Sequence, residues 1–257
     1  MSIRWTYAFV DRPADRVGAA RDFWTAVTGT GLSEFRGARD EFVTLLPSDG
    51  DACVKVQGVE AGAGGAHLDF SVADVGAFAA VARDLGAVPV AEHVGWCVLR
   101  SPAGLLFCAV PWHGEAVRPA VVDGSRLDQV CLDIPPSAYD AECAFWAGLT
   151  GWEPLTGSLP EFRVLRPPPG LPVRILLQRL RDERPATAHP DLACADVAAV
   201  LARHEVLGAA VVAHGPHWTV LRDPAGGLYC LTRRDPETGG PPAPGVSGET
   251  GSRMRRP

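Results

Sequence analysis

The chain has 257 residues, enough for one or two domains, and nearly half of them are apolar, so a sizeable core can be buried. A net charge of −6 argues against nucleic acid as the main partner, because phosphate binding needs a basic surface. No apolar run approaches the roughly 18 residues of a membrane span, and the first residues, Met1-Ser2-Ile3-Arg4-Trp5, run into a strand-like pattern without a signal-peptide profile.

Taken in order, Tyr7-Ala-Phe-Val alternates as a strand. A helix is predicted over 14–27, where Val17, Ala20, Phe23, Trp24 and Val27 recur at helical spacing, and Thr28-Gly29 ends it. Short strands follow near 31–35, 42–46 and 53–59, separated by Gly, Pro and Asp. A strand over 67–72 then leads into a helix over 74–85, with Asp74 placed to cap it. Strands near 87–90, 94–100 and 106–110 complete the first half, so the order β-α-β-β-β occurs twice.

The second half repeats the first. Trp96-Cys-Val-Leu-Arg-Ser-Pro-Ala-Gly-Leu-Leu-Phe-Cys108 recurs as Trp218-Thr-Val-Leu-Arg-Asp-Pro-Ala-Gly-Gly-Leu-Tyr-Cys230, with nine of 13 positions identical at an offset of 122. The same offset carries Phe23-Trp24 onto Phe145-Trp146, Thr28-Gly29 onto Thr150-Gly151, and His67 onto His189. Two domains follow, 1–117 and 118–235, linked through 114–124. Residues 236–257 are Gly, Pro, Ser and charge without periodicity, the composition of a disordered, dispensable tail. The seven cysteines form no Cys-x-x-Cys pair and sit in apolar segments, as small core residues of a reducing cytoplasm would. Lys55 is the only lysine.

Alternation sorts the strand side chains. Leu68, Phe70 and Val72 form one apolar set, so His67, Asp69 and Ser71 face the other way; His189 and Asp191 match them. Val130, Leu132 and Ile134 form another, leaving Gln129, Cys131 and Asp133 opposite, matched by Tyr7, Phe9 and Asp11. Gln57 and Gln178 end the fourth strand of the first module in each half.

On these residues the chain resembles the vicinal oxygen chelate superfamily, which holds glyoxalase, bleomycin-resistance and extradiol-dioxygenase proteins. The segment His67-Leu-Asp-Phe-Ser-Val-Ala-Asp-Val resembles the family's histidine-bearing strand and helix cap, and the Pro-Ala-Gly-x-Leu-aromatic-Cys segments resemble its last hairpin. The resemblance implies an α+β fold of two tandem glyoxalase-like domains. Each would pair two βαβββ modules into a curved sheet, with helices on one face and a cleft on the other.

Carried over, the family's ligand corners fall on Gln129, Gln178, His189 and Cys230 in the second domain, and on Tyr7, Gln57, His67 and Cys108 in the first. Cys stands where active members place glutamate, and neither quartet contains a carboxylate. A hard divalent cation wants anionic oxygen, so no cofactor is assigned. Gln129 and His189 are the candidates if a divalent metal is held, and without one His189 is expected to be neutral near pH 7.

Trp96 and Trp218 either stack on a planar ligand or pack the rim. Cys108 and Cys230 are either nucleophiles or inert packing. Arg100 and Arg222 either grip an anionic substrate or lie on the surface. The implied function is a metal-independent protein binding a small organic molecule in its cleft, as monomer or homodimer. The alternative is a divalent-metal-dependent lyase, isomerase or dioxygenase.

Overall fold

The computed structural model describes residues 2–157 and 159–242. The first half runs β1 (Ile3–Pro13), α1 (Val17–Thr28), β2 (Gly31–Leu32), β3 (Phe42–Leu46), β4 (Val54–Val59), β5 (Gly65–Val72), α2 (Val75–Asp84), β6 (Val88–His93), β7 (Trp96–Arg100) and β8 (Leu106–Pro111). The second repeats it as β9 (Ser125–Ile134), α3 (Tyr139–Thr150), β10 (Glu153–Thr156), β11 (Phe162–Arg166), β12 (Arg174–Arg179), β13 (Thr187–Cys194), α4 (Val197–Val206), β14 (Ala210–His214), β15 (Trp218–Arg222) and β16 (Leu228–Arg233). No helix among the described residues is long and apolar enough to cross a membrane.

Each half is one eight-stranded mixed sheet, ordered β2-β3-β4-β1-β5-β8-β7-β6 and β10-β11-β12-β9-β13-β16-β15-β14. The two modules of a half meet where their first strands pair antiparallel, β1 on β5 and β9 on β13. The last strand of each module then pairs parallel with its first, so both histidine-bearing strands lie at the sheet centre. Helix ends follow the sequence: Gly29 and Gly151 adopt the left-handed conformation that closes α1 and α3, and the Asp74 and Asp196 carboxylates accept backbone N–H groups at the starts of α2 and α4.

The helices reach across the domain boundary. Phe23 and Trp24 of α1 pack on Tyr229 of β16, with centroids 5.7 and 5.3 Å away. Phe145 and Trp146 of α3 pack on Phe107 of β8 at 5.8 and 5.1 Å. Nearby, His204 meets the Tyr229 hydroxyl at 2.9 Å; burial depresses its pKa to about 4, making it an uncharged part of the core. A fully buried ion pair also joins the halves. Arg12 Nε donates to Asp223 Oδ2 at 2.7 Å, and the Trp24 indole donates to the same oxygen at 3.0 Å.

Residues 236–242, assigned to the tail by composition, lie against the second domain, with Pro236 and Gly239 buried. The Glu237 carbonyl accepts from Arg118 at 3.2 Å and Arg126 at 2.8 Å, and the Gly239 carbonyl accepts from Arg174 at 2.8 Å. Half-buried guanidinium groups need acceptors, and this strap supplies them. The remainder of the expected tail, 243–257, lies outside the described residues.

Candidate functional site

The second sheet encloses a cavity of about 610 Å³. Alternation supplies its floor: Gln129 and Cys131 from β9, Arg174, Leu176 and Gln178 from β12, His189 and Asp191 from β13, and Cys230 and Thr232 from β16. Phe162, Val164 and Trp218 form apolar walls, and the strap Gly239-Gly240-Pro241-Pro242 closes one side. Gln129, Gln178, His189, Cys230 and Trp218 therefore line one space. Trp218 meets Phe162 edge-to-face at 5.5 Å.

Register decides what each polar group touches. Cys131 faces His189 and Gln129 faces Asp191 across the β9–β13 pair. His189 lies between two carboxylates, Nδ1 3.2 Å from Asp133 Oδ2 and Nε2 3.3 Å from Asp191 Oδ1. The quartet of ligand corners contains no carboxylate, yet the two cleft-facing aspartates flank its histidine, and this geometry runs against the expectation of a neutral ring. Burial opposes charge on the ring, but its contacts with Asp133 and Asp191 outweigh that and carry its pKa well above the ordinary value.

Gln129 is also committed. Its Nε2 donates to Asp191 Oδ2 at 2.5 Å, and its Oε1 accepts from Arg174 Nε at 2.7 Å. That oxygen is the one a metal would use, and a guanidinium stands on it. Gln178 accepts from the Cys131 thiol at 3.6 Å. Cys230 Sγ lies 3.4 Å from His189 Nε2, yet burial and then Asp191 push its pKa up to about 11, so it remains a thiol rather than an activated nucleophile.

The first domain arranges the same strands differently. His67 Nδ1 lies 2.6 Å from Asp11 Oδ2, and the Phe9 ring stacks on His67 at 4.4 Å. Burial opposes the charge on His67, but Asp11 raises its pKa overall. Lys55 occupies the remaining room, with Nζ 3.0 Å from Asp69 Oδ2 and 3.9 Å from the Tyr7 ring centroid. Tyr7 donates to Glu115 at 2.6 Å, and burial raises the Cys108 thiol far above its usual range. Trp96 stacks on His93 at 3.9 Å, and Gln57 lies half-buried on β4 opposite Asp11. Arg100 and Arg222 are exposed, and Arg222 binds the Gly226 carbonyl of its own turn at 2.8 Å.

Among the described residues two groups, Cys131, His189 and Asp191, and His67, Asp69 and Cys108, each bring three donor atoms within 4.8 Å of one another. Each offers one sulfur, one nitrogen and one oxygen. That set does not fit a hard, oxygen-preferring ion, and its chemistry is nearer to zinc. Sequence reasoning placed Asp133, Asp191 and Cys131 on the cleft face but missed their contacts, and it missed Lys55 and Arg174 altogether. Alternation alone puts Lys55 opposite Val54 and Val56, and Arg174 in line with Gln178, so the signal was present.

A family model described as a glyoxalase-like domain matches residues 7–110 and again 129–232. No curated protein matches the sequence significantly. Among solved structures, the Mn(II)-bound glyoxalase from Novosphingobium aromaticivorans is similar at 18% identity and a TM-score of 0.62, over 95% of this chain and 88% of that one. The 2,2',3-trihydroxybiphenyl 1,2-dioxygenase from dibenzofuran-degrading Sphingomonas wittichii strain RW1 is similar at 13% and 0.61, over 96% and 98%. The chain spans only 48% of a xylose isomerase-like TIM barrel/4-hydroxyphenylpyruvate dioxygenase fusion protein, with 90% of its own length matched at 13% identity and a TM-score of 0.56. At these identities the likeness is one of fold.

Proposed function

The chain belongs to the glyoxalase-like domain family, and from that premise we propose that its second domain binds a small organic molecule in the cleft without a strongly held metal. The observation that carries this reading is the cavity of about 610 Å³, whose Gln129 and Arg174 are held by neighbouring groups. Ligand pockets are typically roughly 300–1,000 Å³, apolar-walled with a few fixed polar groups. Here His189 lies between Asp133 and Asp191, and Gln129 bridges Asp191 to Arg174, so side chains of the floor itself orient these groups. In the first domain Lys55 and Phe9 lie over the corresponding strands, with Lys55 Nζ 3.9 Å from the Tyr7 ring centroid and the Phe9 ring stacked on His67, so the binding role is assigned to the second.

A second reading, a divalent-metal-dependent lyase, isomerase or dioxygenase, is favoured by the Cys131, His189 and Asp191 donors. A zinc-type ion there would displace the His189 and Cys131 protons, so its affinity would rise with pH. The two readings separate by metal analysis of protein purified without chelator. The binding-protein reading expects substoichiometric metal that His189→Ala leaves unchanged. A stoichiometric metal lost in His189→Ala would replace it with the metalloenzyme reading.

A further inference from the structure

We infer that the molecule taken by the second cleft carries a carboxylate on an apolar, planar body, and that Arg174 reads the carboxylate. This rests on the proposal that the second cleft binds a small molecule, and it names the class.

Arg174 enters the cavity from β12 with its stem beside Leu176. Its Nε donates to Gln129 Oε1 at 2.7 Å and its Nη1 to the Gly239 carbonyl at 2.8 Å. Both acceptors are neutral. Of five N–H donors on a guanidinium, three remain. Among the described residues no carboxylate pairs with Arg174. Asp128 is taken by Arg234, at 2.5 Å from Nη1 and 2.6 Å from Nη2. Asp191 Oδ2 accepts from Gln129 and its Oδ1 lies 3.3 Å from His189 Nε2, so the Gln129 amide stands between Arg174 and that carboxylate.

Burial, and then the adjacent Arg234, lower the Arg174 pKa to about 10, so it stays charged at neutral pH at a cost in free energy. A partly desolvated cation held by neutral acceptors is the arrangement that an incoming anion stabilises. The remaining surface sets the rest of the ligand. Phe162, Val164 and Trp218 offer flat apolar contact, suited to an aromatic or similarly planar body. Arg174 is the one cavity guanidinium with this character: Arg234 is neutralised by Asp128, and Arg233 is exposed. One unpaired planar fork matches one carboxylate, whereas a phosphate would call for more than one.

The test is calorimetric titration of the full chain with matched pairs of one- and two-ring aryl carboxylates and their amides, for example 2-naphthoate and 2-naphthamide. Wild type should bind the carboxylate about tenfold or more tightly than the amide. Arg174→Gln should abolish that preference, and Arg174→Lys should keep part of it. Equal affinity for acid and amide in wild type, or a preference that survives Arg174→Gln, would overturn the inference and leave the cleft proposal standing. Binding of neither member of any pair would remove the cleft proposal as well.

Discussion

Replacing Asp223 by alanine tests the joint between the two halves. The Asp223 side chain is inaccessible to solvent, as is that of Arg12. Its Oδ2 takes Arg12 Nε at 2.7 Å and the Trp24 indole at 3.0 Å, while Oδ1 takes the backbone N–H groups of Ala225 at 3.1 Å and Gly227 at 3.0 Å. Without it Arg12 keeps only the carbonyls of Asp11 and Gly65, each at 2.7 Å. Breaking a buried pair from one side costs about 3–5 kcal/mol, because the surviving charge is left uncompensated. In a chain of this size each kcal/mol moves the melting temperature by roughly 2–4 °C, so a fall of about 10 °C is expected. Urea denaturation and scanning calorimetry of wild type, Asp223→Ala, Arg12→Leu and the double variant form the assay. The double variant should be more stable than Asp223→Ala alone, since it removes the orphaned charge. A loss below about 1 kcal/mol in Asp223→Ala, or a double variant that simply adds the single losses, would refute the reasoning.

Truncation after Pro242 should leave the melting temperature unchanged, whereas truncation after Arg234 should lower stability by about 1–3 kcal/mol, because Arg118, Arg126 and Arg174 lose their carbonyl acceptors; equal melting of both would sink the strap's role. His189 has its folded pKa raised, so its stabilisation is fully present below the unfolded value near 6.5 and fades as pH climbs through the folded value. The stability gap between wild type and His189→Gln should therefore narrow as pH rises above the unfolded value, as read by urea midpoints, and a constant gap would contradict a charged imidazole beside Asp133 and Asp191. Lys55→Met should destabilise the chain by about 2 kcal/mol or more through the unpaired Asp69, and Lys55→Met combined with Asp69→Asn should recover part of that loss in the same assay.

Much of this architecture was legible because it is local or repeated. The offset of 122 exposed the duplication, the Thr-Gly and Asp signals marked helix ends, and alternation about His67 and His189 gave the correct faces. β1 and β9 were harder. β9 is buried along its entire length, so polar Arg126, Asp128 and Gln129 sit inside it and obscure the hydrophobic pattern. Asp128 is the extra residue of a bulge opposite Asp191-Leu192, and that bulge aims it at Arg234; no sequence pattern announces it. The ion pair of Arg12 with Asp223 spans 211 positions, and the strap's acceptors face arginines from three separate segments. Composition alone therefore assigned residues 236–242 to a loose tail. Gln129 shows the same limit: its identity was visible as a possible ligand, but its commitment to Asp191 and Arg174 required the register.

The crossing of α1 and α3 bears on how such a duplicated chain can change. Each copy lends its aromatic pair to the other's interior, Phe23 and Trp24 in one direction, Phe145 and Trp146 in the other. Expressed separately, either half would present two large rings to water and an unfilled notch to go with them, which favours insolubility over independent folding. Selection acting solely on the second cleft would thus still preserve the first copy. That copy is free to fill its own cleft with a lysine and a phenylalanine, provided that its first helix keeps its place.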